Sequence, residues 1–151
     1  MCFALEKHNC IFNIRPAPFQ ELKSPRETIL QVLHNPIGSP PLTGLVKRGH
    51  KVLVIVDDLT RPTPRHLLIP PLLEELNSAG IPDRDIRVLI ALGTHRRMTK
   101  AEIRKHFGTT VYRRVEIINH EYDDPAYLKT GGHTSDGTPV VVNRRVLESD
   151  V

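Results

Sequence analysis

"KVLVIVDDLTRPTPRHLL", residues 51–68, is predicted to form a strand, a polar loop and the start of a helix. The run KVLVIV is apolar after its lysine and rich in β-branched side chains, which is typical of a strand buried on both faces of a sheet. Thr63 is the expected N-cap of the following helix, with Pro64 in its first position. Because Pro70 and Pro71 lie inside the helical pattern, we expect a kink or two helical pieces.

Two further strand patterns begin at Ile86 ("IRVLIAL") and at Val115 ("VEIINH"). Between them, Thr99 and Glu102 have the spacing of a capping box that opens a helix, and Gly108 is expected to close it. Strand, helix, strand, helix and strand in succession indicate an α/β fold with a parallel or mostly parallel sheet flanked by helices.

The segments on either side of this pattern are also predicted to be ordered. Ser24 and Glu27 have the spacing of a capping box for a short helix that ends before Pro36. Near the other end, "TSDGTPVVVN" predicts an Asp-Gly turn and a strand, and "RRVLES" predicts a short helix. We expect residues 1–151 to form a single domain, since this length can bury a core.

Composition limits the classes of ligand. The formal net charge is +4, there is no tryptophan, and Lys and Arg are scattered among acids. These features suit an anionic small molecule and argue against nucleic acid as a partner, because aromatic side chains interleaved with arginine are missing. Cys2 and Cys10 are read as reduced thiols, and neither a signal peptide nor a membrane span is recognisable. We expect a cytoplasmic protein that does not contact membranes.

Polar residues follow each of the three predicted strands, in the clusters "DDLTR", "GTHR" and "NHE". Parallel strands bring their carboxyl ends to one edge of a sheet, where ligands bind in such folds, so we expect Asp58, Arg61 and His95 to face one cleft. Asp58 can accept hydrogen bonds from hydroxyls, Arg61 suits a carboxylate or phosphate, and His95 is the candidate acid–base group. His120 has weaker grounds for catalysis.

Structural explanations stand beside these roles. Asp58 and Arg61 are also consistent with a capped turn that carries a solvated ion pair. His95 is also consistent with a surface or structural histidine. No H-x-x-x-H or paired-cysteine spacing occurs, so we predict no metal site built wholly within this chain.

From about Phe12 onward, the sequence resembles the nickel-dependent lactate racemase family. The resemblance is carried by "DDLTRPTP", "ALGTHRRMTKAE", "NHE" and "GTPVVVNRRVLESD", which occur in that order. One position departs from the family pattern, since Glu121 stands where members often have aspartate. The resemblance implies a Rossmann-like N-terminal domain of a two-domain enzyme.

The resemblance also implies a cofactor and a reaction. Family members use a nickel-pincer nucleotide, which Asp58, Leu59, Thr60 and Arg61 would contact, with Arg61 also near the anionic 2-hydroxy acid substrate. His95 would be one of two acid–base histidines. It would take the hydroxyl proton while the hydrogen on carbon moves to the cofactor as hydride, and return of hydride to the opposite face of the 2-oxo acid would invert the centre.

Other family motifs are not found in these 151 residues. They are an E-P-H motif with the second histidine, a G-G-x-K motif whose lysine tethers the cofactor, and a histidine that ligates nickel. The resemblance therefore implies an N-terminal half that acts with a C-terminal domain. By itself, this half is expected to be inactive and to hold no tightly bound cofactor. The alternative is a non-catalytic anion- or nucleotide-binding module that acts with a partner chain. A hydrolase using His95 is a weaker alternative, because no nucleophile accompanies it.

Overall fold

A three-stranded parallel sheet is the centre of the fold. The computed structural model describes residue 15, residues 17–18 and residues 22–151. Strands β1 (Val52–Val56), β2 (Ile86–Ile90) and β3 (Glu116–Asn119) pair in that order, with Val52 opposite Ile86 and Arg87 opposite Glu116. The predicted α/β class with a parallel sheet flanked by helices is confirmed.

In the part of the chain that the structure describes, five α-helices accompany the sheet: α1 (Pro25–His34), α2 (Leu42–Leu45), α3 (Arg65–Ser78), α4 (Lys100–Arg114) and α5 (Arg144–Leu147). Short 3-10 turns lie at Asp83–Asp85, before β2, and at Pro125–Tyr127. No helix in the described part of the chain is long and apolar enough to cross a membrane.

The hydrophobic core lies between the sheet and the helices α3 and α4. Val88 and Ile90 of the middle strand are fully buried. Leu73 of α3 is also fully buried, and Phe107 of α4 is 1% exposed. Burial of this apolar surface is the main favourable contribution to folding. Strand β1 is less covered than its sequence predicted, because Ile55 remains 55% exposed.

A second, antiparallel sheet is formed by β4 (Leu128–His133) and β5 (Pro139–Asn143). The predicted Asp-Gly turn connects them, and Gly137 has the positive φ of 84° that such a turn requires. Helix α5 follows β5 directly, as the sequence predicted, and the Asn143 side chain caps it by accepting from the backbone N–H of Arg145.

Two expectations about helix starts were wrong. The Ser24 side chain makes no capping bond to α1, although the predicted bounds of that helix hold. Helix α3 starts one residue late, after Pro64, because the Thr63 hydroxyl donates to a carboxylate oxygen of Asp57 instead. Helix α3 is continuous through Pro70 and Pro71, so these prolines do not divide it into two helical pieces.

Helix α4 opens as the sequence predicted and then breaks. The Thr99 side chain accepts from the backbone N–H of Glu102, and the Glu102 side chain accepts from the N–H of Thr99, which is a full capping box. Gly108 leaves helical geometry at φ 81° and ψ 155°, and a further helical segment continues to Arg114. Gly108 therefore ends only the first part of the helix, because a glycine at positive φ can redirect the chain and let it resume.

Candidate functional site

The three polar clusters begin at neighbouring positions along one edge of the parallel sheet. The backbone N–H of Ala91 donates to the carbonyl of Val56 at 2.7 Å, and that of His120 donates to the carbonyl of Ile90 at 3.0 Å. These bonds extend the strand pairing one residue past each strand. The loops that follow β1, β2 and β3 consequently start side by side at the carboxyl edge.

Asp58 and His95 are in direct contact at this edge. Nδ1 of His95 lies 2.6 Å from Oδ2 of Asp58, and the Asp58 side chain is almost fully buried. The other carboxylate oxygen, Oδ1, accepts from the Thr60 hydroxyl at 2.6 Å and from the Thr60 backbone N–H at 3.1 Å. Both oxygens of this buried carboxylate are therefore paired.

These contacts set the charge of Asp58. Burial raises the pKa of Asp58, but the side-chain hydrogen bonds from Thr60 and His95, with the backbone N–H of Thr60, outweigh burial and hold the pKa below its ordinary value of 3.8. An ionised Asp58 favours the His95 tautomer that carries its proton on Nδ1. Nε2 of His95, on a ring whose side chain is 56% exposed, is then left as a proton acceptor.

Several hydrogen bonds stabilise the loop that carries His95. Gly93 has a φ of 57°, and the N–H of His95 donates to the carbonyl of Leu92 at 3.0 Å, which closes a tight turn. Arg96 binds both carboxylate oxygens of Glu102 at 2.6 and 2.9 Å, and these bonds, with those from Thr99, lower the pKa of Glu102 to about 2. His95 is thus presented by an ordered loop.

The Asn119 side chain also stabilises this loop, which could not be predicted from the sequence. Its side-chain Oδ1 accepts from the backbone N–H of Met98, and its Nδ2 donates to the carbonyl of Met98, both at 2.9 Å. The first residue of the "NHE" cluster therefore joins the end of β3 to the loop after β2. The sequence shows a polar residue at the end of a strand, but residue type does not reveal that its side chain binds backbone groups.

Arg61 lies on a groove beside the Asp58–His95 contact rather than in it. The groove has a volume of about 490 Å³, and its lining combines prolines with cationic and histidine side chains and contains no carboxylate; it consists of Leu59, Thr60, Arg61, Pro62, Thr63, Pro64, His66, Lys105 and His106. The Arg61 side chain forms no hydrogen bond or ion pair with any other described residue, so the proposed solvated Asp58–Arg61 pair is contradicted. Leu59 lines the groove and also packs on the core.

The buried side chain of Arg65 stabilises the loop between β1 and α3. Its side chain is 1% exposed, its Nε donates to the carbonyl of Asp57 at 3.0 Å, and its Nη2 donates to the carbonyl of Asp58. Nη2 also lies 2.6 Å from Oδ1 of Asp57, and the guanidinium stands 6.0 Å from the ring centre of Phe107. The sequence missed this residue, because an arginine in the first turn of a helix usually extends into solvent.

Among the described residues, no group of three or more His, Cys, Asp or Glu side chains is arranged to hold a metal ion. His95 pairs with a carboxylate, and His66 and His106 line the groove separately from it. The chemistry that this arrangement offers is one oriented proton acceptor next to a cationic groove.

Known proteins share this sequence and fold. The chain is 34% identical over 135 residues to a lactate racemase of Lactiplantibacillus plantarum. The aligned region covers 89% of this chain and 32% of that protein. It is 25% identical to a lactate racemase of Thermoanaerobacterium thermosaccharolyticum over 97% of this chain and 34% of that protein.

A solved structure of the lactate racemase apoprotein from Thermoanaerobacterium thermosaccharolyticum superposes with a TM-score of 0.77 at 27% identity, over 85% of this chain and 30% of that one. The chain thus spans about a third of the length of the curated relatives it matches. Residues 1–151 match the family model of the lactate racemase N-terminal domain. This chain belongs to the lactate racemase N-terminal domain family.

Proposed function

We propose that this chain is the N-terminal part of a racemase that interconverts the enantiomers of a 2-hydroxy acid. The observation that carries the proposal is the 2.6 Å contact between buried Asp58 and partly exposed His95 at the carboxyl edge of the sheet. An aspartate behind a histidine fixes the imidazole in one orientation and one tautomer, which is what a general base requires. A C-terminal domain that continues this chain would supply the other wall of the cleft, and the protein with both parts is called the longer racemase.

His95 would perform the proton transfer. Nε2 accepts the hydroxyl proton as the 2-hydroxy acid is oxidised to a planar 2-oxo acid, and it returns the proton when the carbonyl is reduced from the other face. Asp58 keeps its negative charge throughout and stabilises the imidazolium that forms in between. Both enantiomers pass through the same planar acid, and His95 would be one of the two acid–base histidines that serve its oxygen.

The groove next to this pair suits anionic groups. Arg61 and Lys105 place permanent positive charge there, and no acid lies in the lining. The planar guanidinium of Arg61 can bind a carboxylate through two parallel hydrogen bonds. We assign the carboxylate of the substrate, or the phosphate of a nucleotide cofactor, to this groove.

The same residues fit the nickel-pincer nucleotide of the family. Its anionic phosphate matches the charge of the groove, and Leu59, Thr60 and Arg61 line that groove while Asp58 stands behind them. When bound, the cofactor would supply the acceptor and donor of hydride. The chain's own residues would bind it, orient the substrate and move the hydroxyl proton.

The test is racemisation of lactate by the longer racemase loaded with cofactor, with and without the change His95→Ala. Loss of one general acid–base group typically costs about a hundred- to ten-thousand-fold in rate, and cofactor loading should not change. Chiral chromatography measures the rate, and metal analysis measures the loading. Near-normal turnover by the variant would show that His95 is structural. A wild-type protein that binds the nucleotide without racemising any 2-hydroxy acid would instead support the non-catalytic binding module.

A further inference from the structure

A second histidine stands at the same sheet edge. His120 is the residue after β3, and its backbone N–H continues the pairing with β2. Neighbouring strands are about 4.8 Å apart, so the backbone of His120 lies roughly 10 Å from the loop that follows β1. Its ring is partly exposed, and its Nε2 has no hydrogen-bond partner among the described residues.

The other ring nitrogen of His120 is held by the side chain of Asn143. Asn143 is the last residue of β5 and is 4% exposed. Its Nδ2 lies 3.1 Å from Nδ1 of His120 and donates to Oε2 of Glu121 at 3.4 Å, while its Oδ1 accepts from the backbone N–H of Arg145 at 3.1 Å.

Only one orientation of the Asn143 amide satisfies all three contacts. The backbone N–H of Arg145 can only donate, so it must face the carbonyl oxygen of the amide. The reverse orientation would place that oxygen against the Glu121 carboxylate, where two acceptors meet. The amide NH₂ therefore faces His120 and Glu121, with one hydrogen for each.

The tautomer of His120 follows from the orientation of the Asn143 side-chain amide. Because an NH₂ group donates to Nδ1, this nitrogen must be the unprotonated acceptor, and the neutral ring carries its proton on Nε2. His95 has the opposite arrangement, since its Nδ1 faces the carboxylate of Asp58. The two histidines thus offer a proton acceptor and a proton donor at the same edge.

We propose that His120 is a ligand-binding residue whose Nε2–H donates a hydrogen bond to an oxygen of the bound 2-hydroxy or 2-oxo acid. The identity of the ligand rests on the proposed function, whereas the tautomer rests only on the contacts of Asn143. A neutral donor suits this task because it binds both the hydroxyl and the carbonyl oxygen without transferring a proton to either. Asn143 is then a positioning residue that keeps His120 in the donating form.

The tautomer is tested on the 151-residue chain by nitrogen-15 NMR of its imidazoles, at a pH above the range in which histidines titrate. We expect protonated Nε2 in His120 and protonated Nδ1 in His95, with signals assigned through His120→Gln and His95→Gln. Protonated Nδ1 in His120 of the wild-type chain overturns the proposal.

Two variants test whether Asn143 sets this tautomer. Asn143→Asp replaces the donor by an acceptor, so the proton of His120 should move to Nδ1, while the matched control Glu121→Gln should leave it on Nε2. If the first variant does not fold because two carboxylates meet, the double variant with Glu121→Gln removes that repulsion and carries the same expectation. An unchanged tautomer in the Asn143→Asp background shows that Asn143 does not position the ring.

Binding is tested in the longer racemase with a pair of substitutions. The amide of His120→Gln places an N–H near the position of Nε2, whereas the shorter amide of His120→Asn reaches only the position of Nδ1. We expect His120→Asn to raise KM for lactate by about ten-fold with a smaller change in kcat, and His120→Gln to keep KM within about two-fold. Equal KM values for the two variants, or a loss confined to kcat, contradict a binding role.

A failure of the proposed function can be recognised separately. If the longer protein racemises no 2-hydroxy acid, calorimetric titration with L-lactate replaces kinetics. Weaker binding by His120→Asn than by His120→Gln then supports His120 as a binding residue in a protein that is not a racemase. No lactate binding by the wild-type protein, or equal binding by both variants, overturns the inference.

Discussion

Nδ1 of His95 lies 2.6 Å from Oδ2 of Asp58, although 37 residues separate them in the sequence. The contact forms because each residue follows a parallel strand, and the two strands are neighbours. Its two members differ in environment, since the carboxylate is 5% exposed and the imidazole is 56% exposed. The buried carboxylate therefore binds Nδ1 of the ring, and Nε2 stays accessible to a ligand.

Asp58→Asn should strongly reduce racemisation by the longer racemase. An amide can face Nδ1 of His95 with either its oxygen or its NH₂ group, so it neither fixes the tautomer nor stabilises an imidazolium. We expect kcat to fall by about a hundred-fold or more, within the range for an impaired acid–base group. Asp85→Asn, in the turn before β2 and at the opposite end of that strand, is the control and should keep normal activity. If Asp58→Asn stays within about three-fold of wild type, the aspartate does not support catalysis.

The order of strands and helices could be predicted because it depends on local patterns. Apolar β-branched runs marked β1 and β2, and the spacing of Thr99 and Glu102 marked the start of α4. The continuity of α3 could not be predicted from its prolines, since their effect depends on whether the carbonyls they leave unpaired reach water.

The sequence predicted which edge of the sheet would carry the polar clusters, but not the contacts between their side chains. Parallel pairing alone implied that the loops carrying Asp58 and His95 would meet. The partner of Asp58 could not be read from sequence, because Arg61 was as reasonable by charge as His95. The burial of Arg65 and the bonds from Asn119 to backbone groups depend on tertiary distances, and residue type does not reveal these.

Acid should weaken the contribution of Asp58 to the free energy of unfolding. Its pKa in the folded chain lies below the ordinary 3.8, so the folded state binds fewer protons than the unfolded state near that pH. The stabilisation is complete above the unfolded value and disappears as the pH falls through the folded one. Urea unfolding of the wild-type chain and of Asp58→Asn should therefore show a difference at about pH 6 that shrinks towards about pH 2.5. A difference that stays constant over this range would mean that the ionised carboxylate is not stabilised by folding.

Arg65→Ala should be among the most destabilising single changes in the chain. It removes the buried cation that binds two carbonyls and a carboxylate of the loop after β1, and it leaves Asp57 without its charge partner. Breaking a buried ion pair on one side costs about 3–5 kcal/mol. Arg87→Ala breaks the exposed pair with Glu116 and should cost less than about 1 kcal/mol. Denaturant unfolding measures both, and equal losses would contradict a structural role for Arg65.

Gly108→Ala should destabilise the chain through backbone strain rather than through a clash. An added Cβ would lie 3.8 Å from Cβ of His66, which is ordinary contact, but φ is 81° at this position. Such a conformation costs a residue with a side chain about 1–3 kcal/mol. Gly44→Ala in α2 is the matched control, because its φ is not positive and its Cβ would meet only Pro40 at 3.6 Å. Thermal unfolding should show a lower Tm for Gly108→Ala alone, and equal Tm values for both variants would mean that the break in α4 relaxes without cost.

Arg61→Lys should weaken binding of the anion in the groove while leaving the fold intact. The Arg61 side chain has no partner among the described residues, so its replacement should not change the free energy of unfolding. A lysine keeps the positive charge and loses the planar pair of donors that matches a carboxylate or phosphate. Loss of one charge-assisted hydrogen bond corresponds to about ten-fold or more in affinity.

Equilibrium binding of the cofactor and KM for lactate, measured on the longer racemase, should show which ligand is affected. Lys105→Arg, in α4, keeps the charge of the groove and serves as the control. If Arg61→Lys changes neither value, the arginine is an exposed loop charge, and the anion in the groove is bound by other groups.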